Sequence, residues 1–173
     1  SGVLLYGPPG TGKTSLAKAA LNEMDYLSRL PSDESKGCSR FLFFSPSPDM
    51  IKGKYVGETE QKIRDIFFGA SKLACKAAAK AGTQVTAILF LDEVDGIAPR
   101  RDVAGESASI VASSVNALLQ MIDGFNAPVN IAILAATNFP ENLDSAFLRR
   151  FQFQVRVDLP TKSDALQFIN MHL

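Results

Sequence analysis

A chain of 173 residues with 46% apolar and 21% charged residues has the length of one domain and the composition of an ordinary globular one. Eighteen basic residues balance eighteen acidic ones, so no net field draws it to nucleic acid or to an anionic surface, and nucleic acid is not an expected partner. No apolar run approaches a membrane span and no basic, apolar leader opens the chain, so direct membrane insertion of this segment is not expected either.

In chain order, the apolar run Val3, Leu4, Leu5, Tyr6 predicts a strand that stops at residues 7–14, GPPGTGKT. A glycine-rich turn between a strand and a helix lets successive backbone N–H groups point at anionic oxygens without intervening side chains. Gly7, Gly10 and Gly12 supply that freedom, Pro8, Pro9 and Thr11 fill the loop between them, and Ser15 follows it. Lys13 is placed to reach the β and γ phosphates of a nucleotide and the Thr14 hydroxyl to ligate Mg²⁺, while the next helix turns its positive end toward the same anion. The competing reading is a glycine-rich turn that binds nothing. At average residue usage the motif arises by accident in on the order of one chain in a hundred of this length, and the strand before and helix after lower that rate further.

Residues 13–27 are rich in helix formers, with Leu16, Ala19, Ala20 and Met24 at helical spacing. Residues 30–39, with Pro31, Ser32, Asp33, Ser35 and Gly37, read as a polar surface excursion. The apolar run 41–45 predicts a strand buried on both faces of a parallel sheet, ended by Pro46 and Pro48. Ile63, Ile66, Phe67, Ala70, Leu73, Ala74 and Ala77 mark a long amphipathic helix from Glu58 to near Gly82. Between them GKYVG, 53–57, puts Tyr55 and Val56 on a glycine-flanked loop, where an aromatic has little chance of burying itself in its own core.

AILFL, 87–91, predicts a third strand that delivers Asp92 and Glu93 to its carboxyl end, where ligands sit in open parallel sheets. A loop with Pro99, Arg100, Arg101 and Gly105 leads to a helix over 107–122, whose stripe is Ile110, Val111, Val115, Leu118, Leu119 and Ile122. NIAILAAT, 130–137, predicts strand four, ending at Asn138. A short helix over 144–148, an alternating strand over 151–157 and a helix from Lys162 capped by Thr161 complete the chain. Alternating strands and helices imply an α/β fold, a parallel sheet with right-handed crossovers and helices on both faces. Cys38 and Cys75 lack any pattern and read as reduced thiols in an intracellular setting, cytoplasmic or nuclear. His172 stands alone, with neither metal nor base spacing.

A parallel sheet brings its strand ends together, so Asp92 and Glu93 are expected to face the cradle from about eighty residues away. Asp92 would hold Mg²⁺ directly or through water, and Glu93 would polarise the attacking water as general base or orienter. Asn138 would both donate to the γ-phosphate and orient the water; the bland readings are solvated turn carboxylates and a turn-forming Asn before Phe139 and Pro140. Arg149 and Arg150 precede strand five, too far from their own cradle but open to that of an adjacent copy of the domain.

These residues carry a resemblance. GPPGTGKT, ILFLDE, AATN and the RRF at 149–151, in that order over nearly the whole chain, resemble the large subdomain of an AAA+ ATPase, and KYVGETE and VDGIAPRR match its first pore loop and the segment after its acidic pair. The resemblance implies a P-loop NTPase sheet ordered 5-1-4-3-2 and Mg²⁺-dependent hydrolysis of ATP. It implies a homo- or hetero-hexameric ring with ATP at its interfaces, and arginine fingers crossing them. It further implies that Lys54, Tyr55 and Val56 line a channel gripping a polypeptide, with adaptor proteins selecting the complexes to be remodelled, unfolded or disassembled. RRF without an intervening Pro-Gly resembles the branch of katanin, spastin, fidgetin and the vacuolar-sorting ATPase. Ala and Ser over 107–114 replace the arginine frequent in relatives. Residues 1–173 are expected to be the core of a longer chain, without the adenine-contacting segment and the C-terminal helical lid, and to bind ATP weakly and not to assemble alone.

Rival readings share the phosphate chemistry. A DNA-directed motor or loader would use Lys52, Lys54, Arg100 and Arg101 as a basic patch, against the zero net charge. A nucleotide-binding scaffold with little hydrolysis would not need the set of Lys13, Asp92 and Glu93, and a small-molecule kinase would need an acceptor pocket and lid that nothing here resembles.

Overall fold

A computed structural model describes residues 2–29, 40–53, 57–100, 108–123, 127–162 and 164. Strands β1 (Gly2–Tyr6), β2 (Arg40–Phe44), β3 (Val85–Leu91), β4 (Ile131–Thr137) and β5 (Phe151–Arg156) form one sheet of order β2-β3-β4-β1-β5, every pair parallel. That is the expected order read from the other edge. The helices are α1 (Lys13–Arg29), α2 (Pro48–Ile51), α3 (Glu58–Ala81), α4 (Ala108–Asp123) and α5 (Ser145–Leu148).

Two apolar layers sandwich the sheet because side chains alternate along each strand. Leu5, Phe90 and Ala136 pack beneath Ala17 of α1 on one face. On the other, Leu4, Leu89, Leu91, Ile133 and Ala135 meet Phe67 of α3 and Val115 and Leu118 of α4. β3 is buried on both faces from Ala87 to Leu91, which is why its sequence is continuously apolar. Each of those large side chains contributes roughly 1.5–3 kcal/mol by leaving water, so the strand that ends at Asp92 is firmly anchored.

One expectation is corrected by position in the sheet. β2 is an edge strand, only partly covered, with Phe43 38% exposed, because β3 flanks it on one side only. α1 buries Ala17 and Leu21, whereas Leu16, Ala19, Ala20 and Met24 are exposed; Ala17 packs over Leu5 and Phe90. Pro48, expected only to end β2, also opens α2, since its absent N–H is no loss in a first helical turn.

β5 forms where expected, and its apolar residues alternate, but beyond Phe151 the strand is exposed, as an edge allows. α3 closes at Gly82, in left-handed conformation (φ 66°), with its N–H bonded to Ala78 O at 2.9 Å. Thr161 and Asp164 bond reciprocally: Thr161 Oγ1 accepts from Asp164 N at 3.3 Å, and Asp164 Oδ2 accepts from Thr161 Oγ1 at 2.7 Å and Thr161 N at 3.0 Å. The hydroxyl bond, then the backbone bond, holds the Asp164 carboxyl below its ordinary value.

The expectations for 30–39 with Cys38, for Lys54, Tyr55 and Val56, for 101–107, for the side chain of Ile110, and for the last helix with His172 lie outside the described residues. Among those described, no helix is long and apolar enough to cross a membrane.

Candidate functional site

Register decides which residues meet. Tyr6 pairs with Thr137 and Leu91 with Ala135, so Gly7, Asp92 and Asn138 emerge together at the carboxyl edge of the central strands. Arg149 and Arg150 do not join them. They precede Phe151, which pairs with Gly2 at the start of β1, and therefore lie at the opposite edge, about 16 Å away at the rise of a strand.

The cradle is built on a close approach. At Gly7 (φ 148°) a Cβ would stand 2.2 Å from the carbonyl oxygen of Val157, just beyond β5, so no side chain fits where the chain leaves β1. The Thr11 hydroxyl donates to Pro8 O at 3.0 Å and Leu16 N to Gly12 O at 2.7 Å, which joins the loop to the first turn of α1. Pro9 and Ser15 are exposed on its outside. The Lys13 side chain folds over the loop: its ammonium donates to Gly7 O at 2.9 Å, Pro8 O at 2.8 Å and Thr11 Oγ1 at 3.4 Å, with the residue 7% exposed. A buried ammonium needs such partners. Carbonyls are neutral acceptors, and a charged phosphate oxygen in the loop would bond it about twice as strongly, so Lys13 is held where an anion can recruit it.

Beside it, the Thr14 hydroxyl donates to Asp92 Oδ2 at 2.7 Å, and Asp92 Oδ1 accepts from Glu93 N at 3.0 Å. The sequence places these two carboxylates 78 and 79 positions beyond Thr14; the sheet brings the first into contact. Glu93 is the one non-glycine residue with positive φ among those described (φ 49°, ψ 44°). Such a conformation costs of order 1–3 kcal/mol and persists only when its surroundings impose it. Here it starts a 3₁₀ turn, Val94–Gly96, anchored by the fully buried Val94 and closed by bonds from Gly96 N to Glu93 O and Ile97 N to Val94 O. The turn leaves Glu93 itself exposed at the edge.

Two residues given no role by sequence reasoning complete the site. The Thr137 hydroxyl, its residue 1% exposed, donates to Asp95 Oδ1 at 2.6 Å and accepts from Phe139 N at 3.0 Å. Asn138 lies between the two residues that share this hydroxyl. Both Asp95 and Thr137 stand inside stretches the sequence singled out, VDGIAPRR and AATN, but no spacing rule connects residues 42 apart.

The donor set suits a magnesium nucleotide. Mg²⁺ takes one or two protein oxygens and completes its octahedron with phosphate and water, and Thr14 and Asp92 offer two hard oxygens side by side at the cradle. Among the described residues no group of three or more His, Cys, Asp and Glu gathers as an all-protein cage would require.

At the far edge, Asp144 caps α5 by accepting from Ala146 N at 2.9 Å and Phe147 N at 3.1 Å. Phe147 packs edge-on against Phe151, ring centroids 4.9 Å apart. Arg149 and Arg150 thus sit on a fixed corner between α5 and β5. Arg150 Nε lies 2.5 Å from Asp123 Oδ2 at the end of α4, at an angle that makes it an ion pair and not a hydrogen bond. Arg149 is exposed and its Nε donates to Ser145 O at 3.2 Å.

Residues 3–159 match the family model described as ATPase family associated with various cellular activities (AAA). The chain is 37% identical over 99% of its length to a cell division cycle protein 48 homolog of Archaeoglobus fulgidus. It is 36% identical over 99% to an AAA ATPase forming ring-shaped complexes of Corynebacterium urealyticum, and 38% identical over 97% to the ribosome biogenesis ATPase RIX7 of Saccharomyces cerevisiae. It spans 20%, 31% and 17% of those proteins, less than a third of the curated relatives it matches. Their names differ widely, so likeness of this grade carries a family and not a branch within it.

Proposed function

Since the chain belongs to the AAA family of ATPases, we propose that it hydrolyses ATP and that the cycle drives the remodelling, unfolding or disassembly of protein complexes. One observation carries the hydrolytic half: the Thr14 hydroxyl and the Asp92 carboxylate meet at 2.7 Å beside a lysine held over a glycine loop. In this reading the loop N–H groups and Lys13 bind the β and γ phosphates, and Thr14 and Asp92 hold Mg²⁺. When bound, the metal neutralises charge developing on the transferred phosphoryl group. Glu93 takes the proton of the attacking water or orients it, and Asn138 donates to the γ-phosphate from the neighbouring strand end.

Relatives named as forming ring-shaped complexes support a ring of this subunit, in which Arg149 and Arg150 of one copy reach the γ-phosphate held by the next. Lys54, Tyr55 and Val56 then face the channel and grip a polypeptide presented by adaptor proteins.

Two measurements test this. Thr14→Ala removes one metal oxygen, so in the full-length protein Mg²⁺-stimulated phosphate release should fall by at least about tenfold, the effect of roughly 1.4 kcal/mol off a charged contact. ATP binding measured in EDTA should change little. Equal hydrolysis by parent and variant would remove Thr14 from the metal site. Tyr55→Ala should keep ATP hydrolysis within about threefold, under 1 kcal/mol, and abolish unfolding of a fluorescent protein substrate. Loss of both together would make Tyr55 a core residue.

A further inference from the structure

From the two hydrogen bonds at the Thr137 hydroxyl, we propose that Asp95 and Thr137 are positioning residues: a clamp between the turn that carries Glu93 and the strand end that carries Asn138. The inference rests on the hydrolytic reading above for its consequence, but its geometry stands apart from any ligand.

A hydroxyl has one proton to donate and lone pairs to accept with. Thr137 spends the proton on Asp95 Oδ1 at 2.6 Å, a charge-assisted bond short enough to be strong, and accepts from Phe139 N at 3.0 Å. With Thr137 1% exposed, water has no access to replace either partner, so each bond fixes a direction. The acceptor side closes a tight turn about Asn138, because residues 137 and 139 are tied through one oxygen. The donor side reaches Asp95, two residues after Glu93 inside the turn that Glu93 opens with its left-handed backbone.

β3 and β4 are already paired up to Leu91 and Ala135, but that ladder ends before either functional side chain. The Thr137 hydroxyl joins the two segments past the end of the pairing, and so sets the separation of a water-activating carboxylate from the amide placed at the γ-phosphate. A misplacement of about 1 Å in such a pair costs on the order of 10²-fold in rate while leaving binding of the ground state nearly intact. Asp95 therefore acts through Glu93 and Asn138 and touches no substrate itself.

The full-length protein provides the test. Thr137→Val keeps the side chain's shape and deletes the hydroxyl; it should lower kcat for ATP by about 10- to 100-fold, with KM and the Kd of a fluorescent ATP analogue within about threefold of the parent. Thr137→Ser should restore the rate, and Asp95→Asn, whose amide oxygen still accepts, should keep more of it than Asp95→Ala. Asp95 is only partly buried, so its alanine variant carries the test if Val at 137 misfolds. Amide hydrogen exchange without nucleotide gives an independent reading: the Phe139 N–H should exchange at least tenfold faster in Thr137→Val while the core of β3 stays protected. Unchanged Phe139 protection overturns the clamp, and so does hydrolysis by Asp95→Ala and Thr137→Val within twofold of the parent. A parent protein that fails to hydrolyse ATP sinks the hydrolytic reading, and the exchange arm then still decides whether the clamp exists.

Discussion

Glu93→Gln in the full-length protein is expected to slow ATP hydrolysis by about 10²- to 10⁴-fold, the range a positioned general base contributes, and to leave ATP bound. The contrast between the two effects follows from where Glu93 stands. Its backbone N–H, not its side chain, bonds Asp92 Oδ1, so the amide variant leaves the Thr14 and Asp92 contact in place. Its left-handed φ of 49° is imposed by the turn anchored on Val94, and Gln tolerates that conformation no worse than Glu. What changes is chemistry: a carboxylate accepts a proton and an amide does not. Phosphate release under saturating Mg²⁺ and ATP, read beside equilibrium binding of a fluorescent analogue, separates the two quantities. Hydrolysis within threefold of the parent would remove Glu93 from the reaction and leave it a solvated turn residue.

Arg149→Ala should cost about 10³- to 10⁵-fold in ATP turnover, the worth of an arginine aimed at a transferred phosphoryl group, without weakening ATP binding in the same subunit. Its test lies in mixing. Arg149 sits at the strand-start edge of its own sheet and the cradle at the strand-end edge, so a subunit cannot serve itself across the length of β1. A subunit with Lys13→Ala has a disabled cradle and a good arginine; one with Arg149→Ala has the reverse. Each alone should be inactive. Mixed, they form some interfaces with an intact cradle facing an intact arginine, and turnover should reappear above the sum of the separate rates. No recovery on mixing, with assembly verified, would refute action across an interface.

Arg150 should behave differently, because it is paired to Asp123 on α4. Asp123→Ala frees it at an exposed pair, where the loss of the ion pair costs under about 1 kcal/mol of stability. Any larger fall in turnover would therefore report the arginine's altered placement.

Legibility followed from whether a property was local. GPPGTGKT announces its cradle because left-handed turns need glycine and a helix start needs no side chain to carry its positive end. AILFL announced a third strand that ends at an acidic pair, and β3 is that strand, ending at Leu91 with Asp92 next. The expectation of burial on both faces failed at 41–45, since an apolar run states what a strand would bury and not whether a neighbour lies on each side; the sheet order makes β2 an edge. In α1 the helical spacing of Leu16, Ala20 and Met24 marks the helix, and only its docking on the sheet selects Ala17, over Leu5 and Phe90, and Leu21 as the buried residues.

Chain chemistry alone was enough to name a phosphate loop, an acidic pair at a strand end, the order of elements and the family they belong to, because each is written in residues close together. Distances across the sheet needed the folded chain. That Thr14 touches Asp92 and that Thr137 reaches Asp95 both depend on parallel register, which pairs segments tens of residues apart and is set by the packing of whole strands, beyond the reach of any local pattern.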